Sequence, residues 1–266
     1  MGMEYLRGYR VFRQDPEWAS KLLVGSLLFL SAMVIPLLGQ VVLVGWQALI
    51  LRRAAHGQQA PMPRLELDFD YLGKLAGTGF KGLIVRLVWV MPVVLLFGAL
   101  TFCVAMGIPV AVAAGAAAGD GDEGMALGAA CCVGSILPLM LPVLVLAQIP
   151  ASVAAMRTEL TDDLNAGLAF KEVLAFCRAM KGPLLRGSLV LWLVGTAAGL
   201  LGMLLCYVGV FPVAVLGLVV QAHFTAQVYR AWVVQGGAPL PIAPVDVPAR
   251  APPAPPPQLP GNAPRA

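Results

Sequence analysis

Charge is what this sequence lacks. Asp, Glu, Lys and Arg make up 12% of its 266 residues, about half the share usual in soluble domains. The deficit is concentrated. No charged residue occurs between Lys21 and Arg52, a stretch of 30 positions, and none in the 43 positions from Gly187 to Tyr229. Runs of that length exclude an ordinary soluble domain and predict an integral membrane protein. The 59% hydrophobic content and the mean hydropathy of +0.82 agree.

Metal-binding and redox side chains are also scarce. Of the five cysteines, Cys103, Cys131, Cys132 and Cys206 sit inside apolar runs, and only Cys177 does not. Adjacent Cys131 and Cys132 fall on different faces of a helix, with no His at ligand spacing. They read as small buried hydrophobes, and no disulfide framework follows. His56 lies in a polar loop without a partner. A phosphate loop, a nucleophile elbow and a His-Glu zinc motif are all missing. The expectation is a protein that is not an enzyme, needs no cofactor or metal and binds no nucleic acid. A cleavable leader is not expected either, because Glu4, Asp15 and Glu17 interrupt the N-terminal segment. Met1-Gly2 lacks the hydroxyl residue that myristoylation needs at position 6, which is Leu6.

What is present is a pattern used three times. Residues 3–13 place Tyr5, Tyr9 and Phe12 at helical spacing among Arg7, Arg10 and Arg13, an amphipathic helix suited to an anionic membrane surface. Asp15-Pro16-Glu17 restarts the chain, Trp18 is placed as an interfacial anchor, and an apolar run follows. The second amphipathic helix opens at Asp68. Its predicted apolar face is Phe69, Leu72, Leu75, Ala76, Phe80 and Leu83, with Lys74 and Lys81 opposite. Asp68 and Asp70 read as capping residues, not as a metal or acid–base pair. Thr161-Asp162-Asp163 caps the third such helix, which carries Lys171, Arg178 and Lys181. Each helix leads into a span, a turn or short loop, and a returning span that ends in Arg. Gln148 precedes Arg157 by nine residues and Gln221 precedes Arg230 by nine. The order predicts a parallel repeat of three hairpins.

The first apolar run, Leu22 to Leu51, decides the topology. Pro36 interrupts it, and as one straight helix it would be about 45 Å long against a hydrocarbon core of about 30 Å. It is either one kinked span or a hairpin of two. With six spans, the far side receives only 36–39, 107–124 and 206–209. These hold none of the 18 Lys and Arg residues but include Asp120, Asp122 and Glu123. The positive-inside rule therefore favours the hairpin and places both termini in the cytoplasm.

Polar groups within the spans are few, and they concentrate in 221–230. Gln221, Thr225 and Tyr229 share one helix face; His223, Gln227 and Arg230 share another. Gln148, Gln221, His223, Gln227 and Arg230 form the candidate intramembrane cluster. Two readings stay open: a polar cavity or lipid-headgroup site, and interhelical hydrogen bonding of the ordinary kind.

Three motifs carry a resemblance. Glu4-Tyr5-Leu6 leads to Phe12, Asp15-Pro16-x-Trp18 and Lys21-Leu22-Leu23-x-Gly25. Asp68-Phe69-x-x-Leu72 runs through Gly79-x-Lys81 to Trp89-x-x-Pro92. Gln221-Ala222-His223 leads to Gln227-x-Tyr229-Arg230. Together they resemble the prokaryotic membrane family called domain of unknown function 4013, over about residues 3 to 232. The acidic loop and the Pro-rich tail depart from it. The resemblance implies a multi-pass bacterial or archaeal membrane protein and brings no activity with it.

The sequence thus predicts an all-α integral membrane protein of the bacterial cytoplasmic (inner) membrane. It has six transmembrane helices in three hairpins, about 18–53, 83–156 and 184–232, each preceded by a cytoplasmic amphipathic helix. The membrane domain is 1–236. The tail, 237–266, holds 11 of the 22 prolines and is expected to be disordered. Partners are the lipid bilayer, anionic lipids at Arg7, Arg10, Arg13, Lys74, Lys81, Lys171, Arg178 and Lys181, and a membrane or cytoplasmic protein. The function read from this is a membrane scaffold or assembly partner with a basic collar; the alternative is a transporter or channel for a small or lipidic solute. A continuous polar cavity reaching His223 favours transport, and a dry centre packed with Gly and Ala favours the scaffold.

Overall fold

A computed structural model gives the fold and describes residues 3–31, 35, 37–58, 62–118, 143, 146–204 and 208–245. Among these residues the chain is all-helical, with no strand. The helices are α1 (Arg7–Gln14), α2 (Trp18–Ser31), α3 (Leu38–Ala55), α4 (Phe69–Ala118), α5 (146–161), α6 (Leu164–Leu168), α7 (Phe170–Ala179), α8 (Lys181–Leu204) and α9 (Val210–Val234).

The first apolar run is two helices, not one. Leu37 takes a left-handed conformation, φ 76°, which no α-helix continues through. The chain then doubles back, so that a Cβ on Gly39 would overlap the Leu28 carbonyl oxygen. The returning helix, α3, becomes the centre of the molecule. It is apolar around its circumference, and every residue from Val41 to Arg52 is buried, as expected of a helix without a polar face. It packs against α2, α4 and α9. Its crossing with α4 is made by glycines: a Cβ on Gly45 would overlap the Leu75 carbonyl, and one on Gly79 the Val41 carbonyl. Small residues of this kind let two backbones touch.

The glycines also set the rotation of α4. Leu75, Gly79 and Val85 are buried, whereas Phe69 and Phe80 are exposed. The face expected from Phe69 through Leu83 is therefore turned, because the closest approach selects the residue without a side chain over the aromatic one. The helix runs unbroken for 50 residues, about 75 Å at the α-helical rise. It includes 107–118, expected to be loop; that segment is rich in Ala, the strongest helix former. The acidic residues 120–123 lie outside the described residues. Asp68 caps the helix as expected, accepting the Asp70 N–H at 3.1 Å.

Two buried features fix the N-terminal third. Lys21 donates to both carboxylate oxygens of Asp15, at 3.0 and 2.9 Å, and the pair is enclosed. Asp15 also accepts the Met62 N–H at 2.7 Å, while Lys21 donates to the Met62 carbonyl at 3.2 Å. The segment after α3 is thereby clamped beneath α2. Meanwhile α1 docks on α9, with Val11 and Phe12 buried and Gly8 against the Val219–Val220 backbone.

The third amphipathic helix is two, α6 and α7, separated at Ala169. Asp163 caps the first, accepting the Asn165 N–H at 3.0 Å. Phe176 of α7 lies 5.0 Å from Trp232 of α9, ring to ring. Cys177 is half-buried, and burial pushes its thiol up to about 11, as for an inert small hydrophobe. Past α9 the chain keeps contact with the bundle: the Leu240 N–H donates to the Tyr229 hydroxyl at 3.0 Å and the Ala243 N–H to the Leu160 carbonyl at 2.7 Å. The expected tail is therefore packed from 237 to 245, and its remainder lies outside the described residues.

Among the described residues, three segments are long and apolar enough to cross a membrane: Phe69–Ala99, Lys181–Leu204 and Val210–Val234; Trp18–Ser31 is a shorter apolar helix. On the first two, apolar side chains such as Leu95, Leu96, Leu200 and Leu201 stand exposed.

Candidate functional site

A cavity of about 620 Å³ lies among α1, α3, α4, α5, α8 and α9. Its floor is polar and its walls are apolar. Gln47, Ser152 and Thr225 contribute from α3, α5 and α9. Each stands five residues before the Arg that closes its returning helix, namely Arg52, Arg157 and Arg230. The helices α3, α5 and α9 thus present the same register to one space. Gln148 and Gln221, nine residues before their arginines, line it as well, and Leu191, Trp192, Val213 and Leu216 form the wall between α8 and α9.

Charge enters the floor through Arg86 and Glu159. Arg86 Nη2 donates to Glu159 Oε1 at 2.8 Å and to Gln47 Oε1 at 3.2 Å. Burial pushes the Glu159 carboxyl above its usual range, although Arg86 and Arg52 pull the other way. Behind it, Arg52 Nε donates to the Glu159 carbonyl at 2.6 Å and Nη2 to Asp162 Oδ1 at 3.2 Å. Lys81 reaches Asp162 Oδ2 at 3.0 Å and its carbonyl at 2.9 Å. Asp162 can face both bases because it adopts φ 58°, a conformation Asp tolerates better than most residues. Arg157 closes the network outward on Glu172 and on the Ala166 carbonyl, the latter at 2.9 Å.

The predicted intramembrane cluster divides. Gln148 and Gln221 reach the cavity; His223, Gln227 and Arg230 do not line it. Gln227 instead holds the N-terminal segment, accepting the Glu4 N–H and donating to the Glu4 carbonyl, both at 3.0 Å. His223 is buried beneath that segment, and its Nε2 has no partner among the described residues. Of the basic residues, Arg13, Lys74, Lys171, Arg178 and Lys181 are exposed, Arg10 pairs with Glu4 at 2.6 Å, and Lys81 is engaged by Asp162. Sequence reasoning missed Glu159 and the pairing of Arg86 with it, and read Asp162 as part of a helix cap, although a base inside a predicted span is itself a signal. Among the described residues no group of three or more His, Cys, Asp and Glu side chains is placed to hold a metal.

The class defined by these features is an all-helical protein with membrane-length apolar helices around a polar-floored cavity. The family described as Protein of unknown function (DUF4013) matches residues 28–207. The chain belongs to that family. No curated protein and no solved structure matches it.

Proposed function

We propose that the protein is a non-enzymatic, multi-pass protein of the bacterial cytoplasmic membrane that binds a small or lipidic solute inside its helical bundle. The observation that carries this reading is the cavity: apolar walls with a few convergent polar groups are the general form of a ligand site, and about 620 Å³ is within the usual range. Six spans in three hairpins fit the shared register of Gln47, Ser152 and Thr225. With both termini cytoplasmic, Arg52, Arg157 and Arg230 mark the cytoplasmic ends of the returning spans, and the cavity floor lies at that level. The exposed bases Arg13, Lys74, Lys171, Arg178 and Lys181 then meet anionic lipid and orient the bundle. The cavity stops short of His223, which argues against a continuous transport route, and its polar floor argues against the dry centre of a pure scaffold.

Gly195 and Gly217 supply the test. Both line the cavity, and a Cβ on either meets nothing within 4 Å. Gly195→Leu with Gly217→Leu plugs the space without a backbone clash. Native mass spectrometry of the purified parent should show a retained amphiphile that the plugged variant loses, at an unchanged melting temperature. Equal retention by both, or an empty parent, defeats the reading.

A further inference from the structure

We propose that the cavity takes its solute by an oxyanion headgroup, a phosphate or carboxylate carried on an apolar chain, with Arg86 as the residue that binds it. The inference rests on the solute-binding reading and names the chemistry of the site. Three bases, Arg52, Lys81 and Arg86, meet two acids, Glu159 and Asp162, so the ion-pair network behind the cavity carries one surplus positive charge; of the five, Arg86 and Glu159 line the cavity itself. The surplus is directed. Arg52 is enclosed, its side chain 5% exposed, and Lys81 is not part of the lining. Arg86 lines the cavity, and both of its hydrogen bonds to described residues leave from Nη2. Its Nε is buried with no partner among the described residues. A guanidinium has five donors in a fixed fork that matches the oxygens of a phosphate or carboxylate. Nε is enclosed, but the side chain is 31% exposed, and an oxyanion on its Nη1 edge, which makes no hydrogen bond to a described residue, would neutralise the surplus. The wall of Leu191, Trp192, Val213 and Leu216 would take the chain.

Glu159 holds Arg86 in competition with such a ligand, and this gives the test a sign that a merely structural pair would not show. The protein is placed in nanodiscs, and equilibrium binding of radiolabelled dodecyl phosphate is measured beside uncharged dodecyl maltoside, with inorganic phosphate as competitor. Arg86→Gln should weaken dodecyl phosphate about tenfold, the scale of one charge-assisted contact, and leave the maltoside unchanged. Glu159→Gln should strengthen dodecyl phosphate binding. Should Arg86→Gln unfold the protein, the double variant Arg86→Gln, Glu159→Gln replaces the ion pair by neutral amides of similar size and should show the same tenfold loss. Unchanged dodecyl phosphate affinity in both single variants, with loss of both amphiphiles on plugging at Gly195 and Gly217, overturns the headgroup assignment and leaves the solute reading standing. If neither amphiphile binds the parent, both fall. Inorganic phosphate binding as tightly as dodecyl phosphate overturns the chain-bearing ligand and leaves a free oxyanion in its place.

Discussion

At the scale of single residues, two glycines one half-turn apart on α4 show what the fold demands. Gly77 has open space where a Cβ would be; Gly79 has the Val41 carbonyl there. Gly77→Ala should be neutral or stabilising by up to about 1 kcal/mol, because Ala is the better helix former. Gly79→Ala must push α3 and α4 apart and should lower stability by about 1–3 kcal/mol or prevent folding. Denaturant titration of the two variants side by side makes the comparison; equal values would mean the helices do not cross at Gly79. Asp15 gives a second prediction. Burial alone would raise its carboxyl, but Lys21 and the Glu17 and Met62 N–H groups outweigh it and hold the value below 3.8. Its folded value is lower than its unfolded one, so its stabilisation is complete above pH 3.8 and is lost as pH falls through the folded value. Asp15→Asn should flatten that acid limb of the stability curve, and an unaltered limb would remove Asp15 as its source. Neither role could be read from the sequence. There are 29 glycines, and only the crossing distinguishes them. The partners Arg86 and Glu159 are 73 positions apart, beyond any local pattern. Gln148 and Gln221 were legible because a repeat puts equivalent residues at equivalent depth.

Among the elements, periodicity marked the expected amphipathic segments and left open whether their apolar faces bury at the membrane interface or against the spans. Periodicity reports which residues share a face. It does not report whether that face meets lipid, water or another helix. On α1 the apolar residues Val11 and Phe12 turn into the bundle, and Arg10 and Arg13 turn out. Arg10→Gln with Arg13→Gln should therefore leave stability within about 0.5 kcal/mol, since an exposed pair such as Arg10–Glu4 contributes little. The same variant should weaken association with vesicles rich in anionic lipid, each base near such a surface contributing about 1 kcal/mol. Flotation of parent and variant on neutral and anionic vesicles measures it. Equal flotation would make α1 a packing element and nothing more.

For the molecule as a whole, the one-sided distribution of bases predicts the threading. In a background without accessible thiols, a cysteine at Gly121 should react with an impermeant reagent from outside the cell, and one at Gln58 should not. The reverse pattern would invert the topology. The all-helical class followed from uncharged length, and the paired first helices from Pro36 together with the one-sided placement of Lys and Arg. The central position of α3 did not, because a buried helix and a lipid-facing helix have the same composition; α3 is surrounded by protein on every side, whereas α4 and α8 present leucines outward. The cavity was anticipated only as one of two alternatives, since the same glutamines serve equally well as hydrogen-bonding glue.

The contact between Glu4 and Gln227 joins residues 223 positions apart. The hub helix α3, made early, is closed on one side by α9, which is synthesised after every other helix among the described residues. Until then α3 has one flank uncovered, and a chain stopped before residue 210 can never bury it. Burial of α3 on that side therefore waits on the synthesis of α9. Every copy that ends before α9 leaves the stretch of α3 from Val41 to Arg52 open along the side that α9 covers.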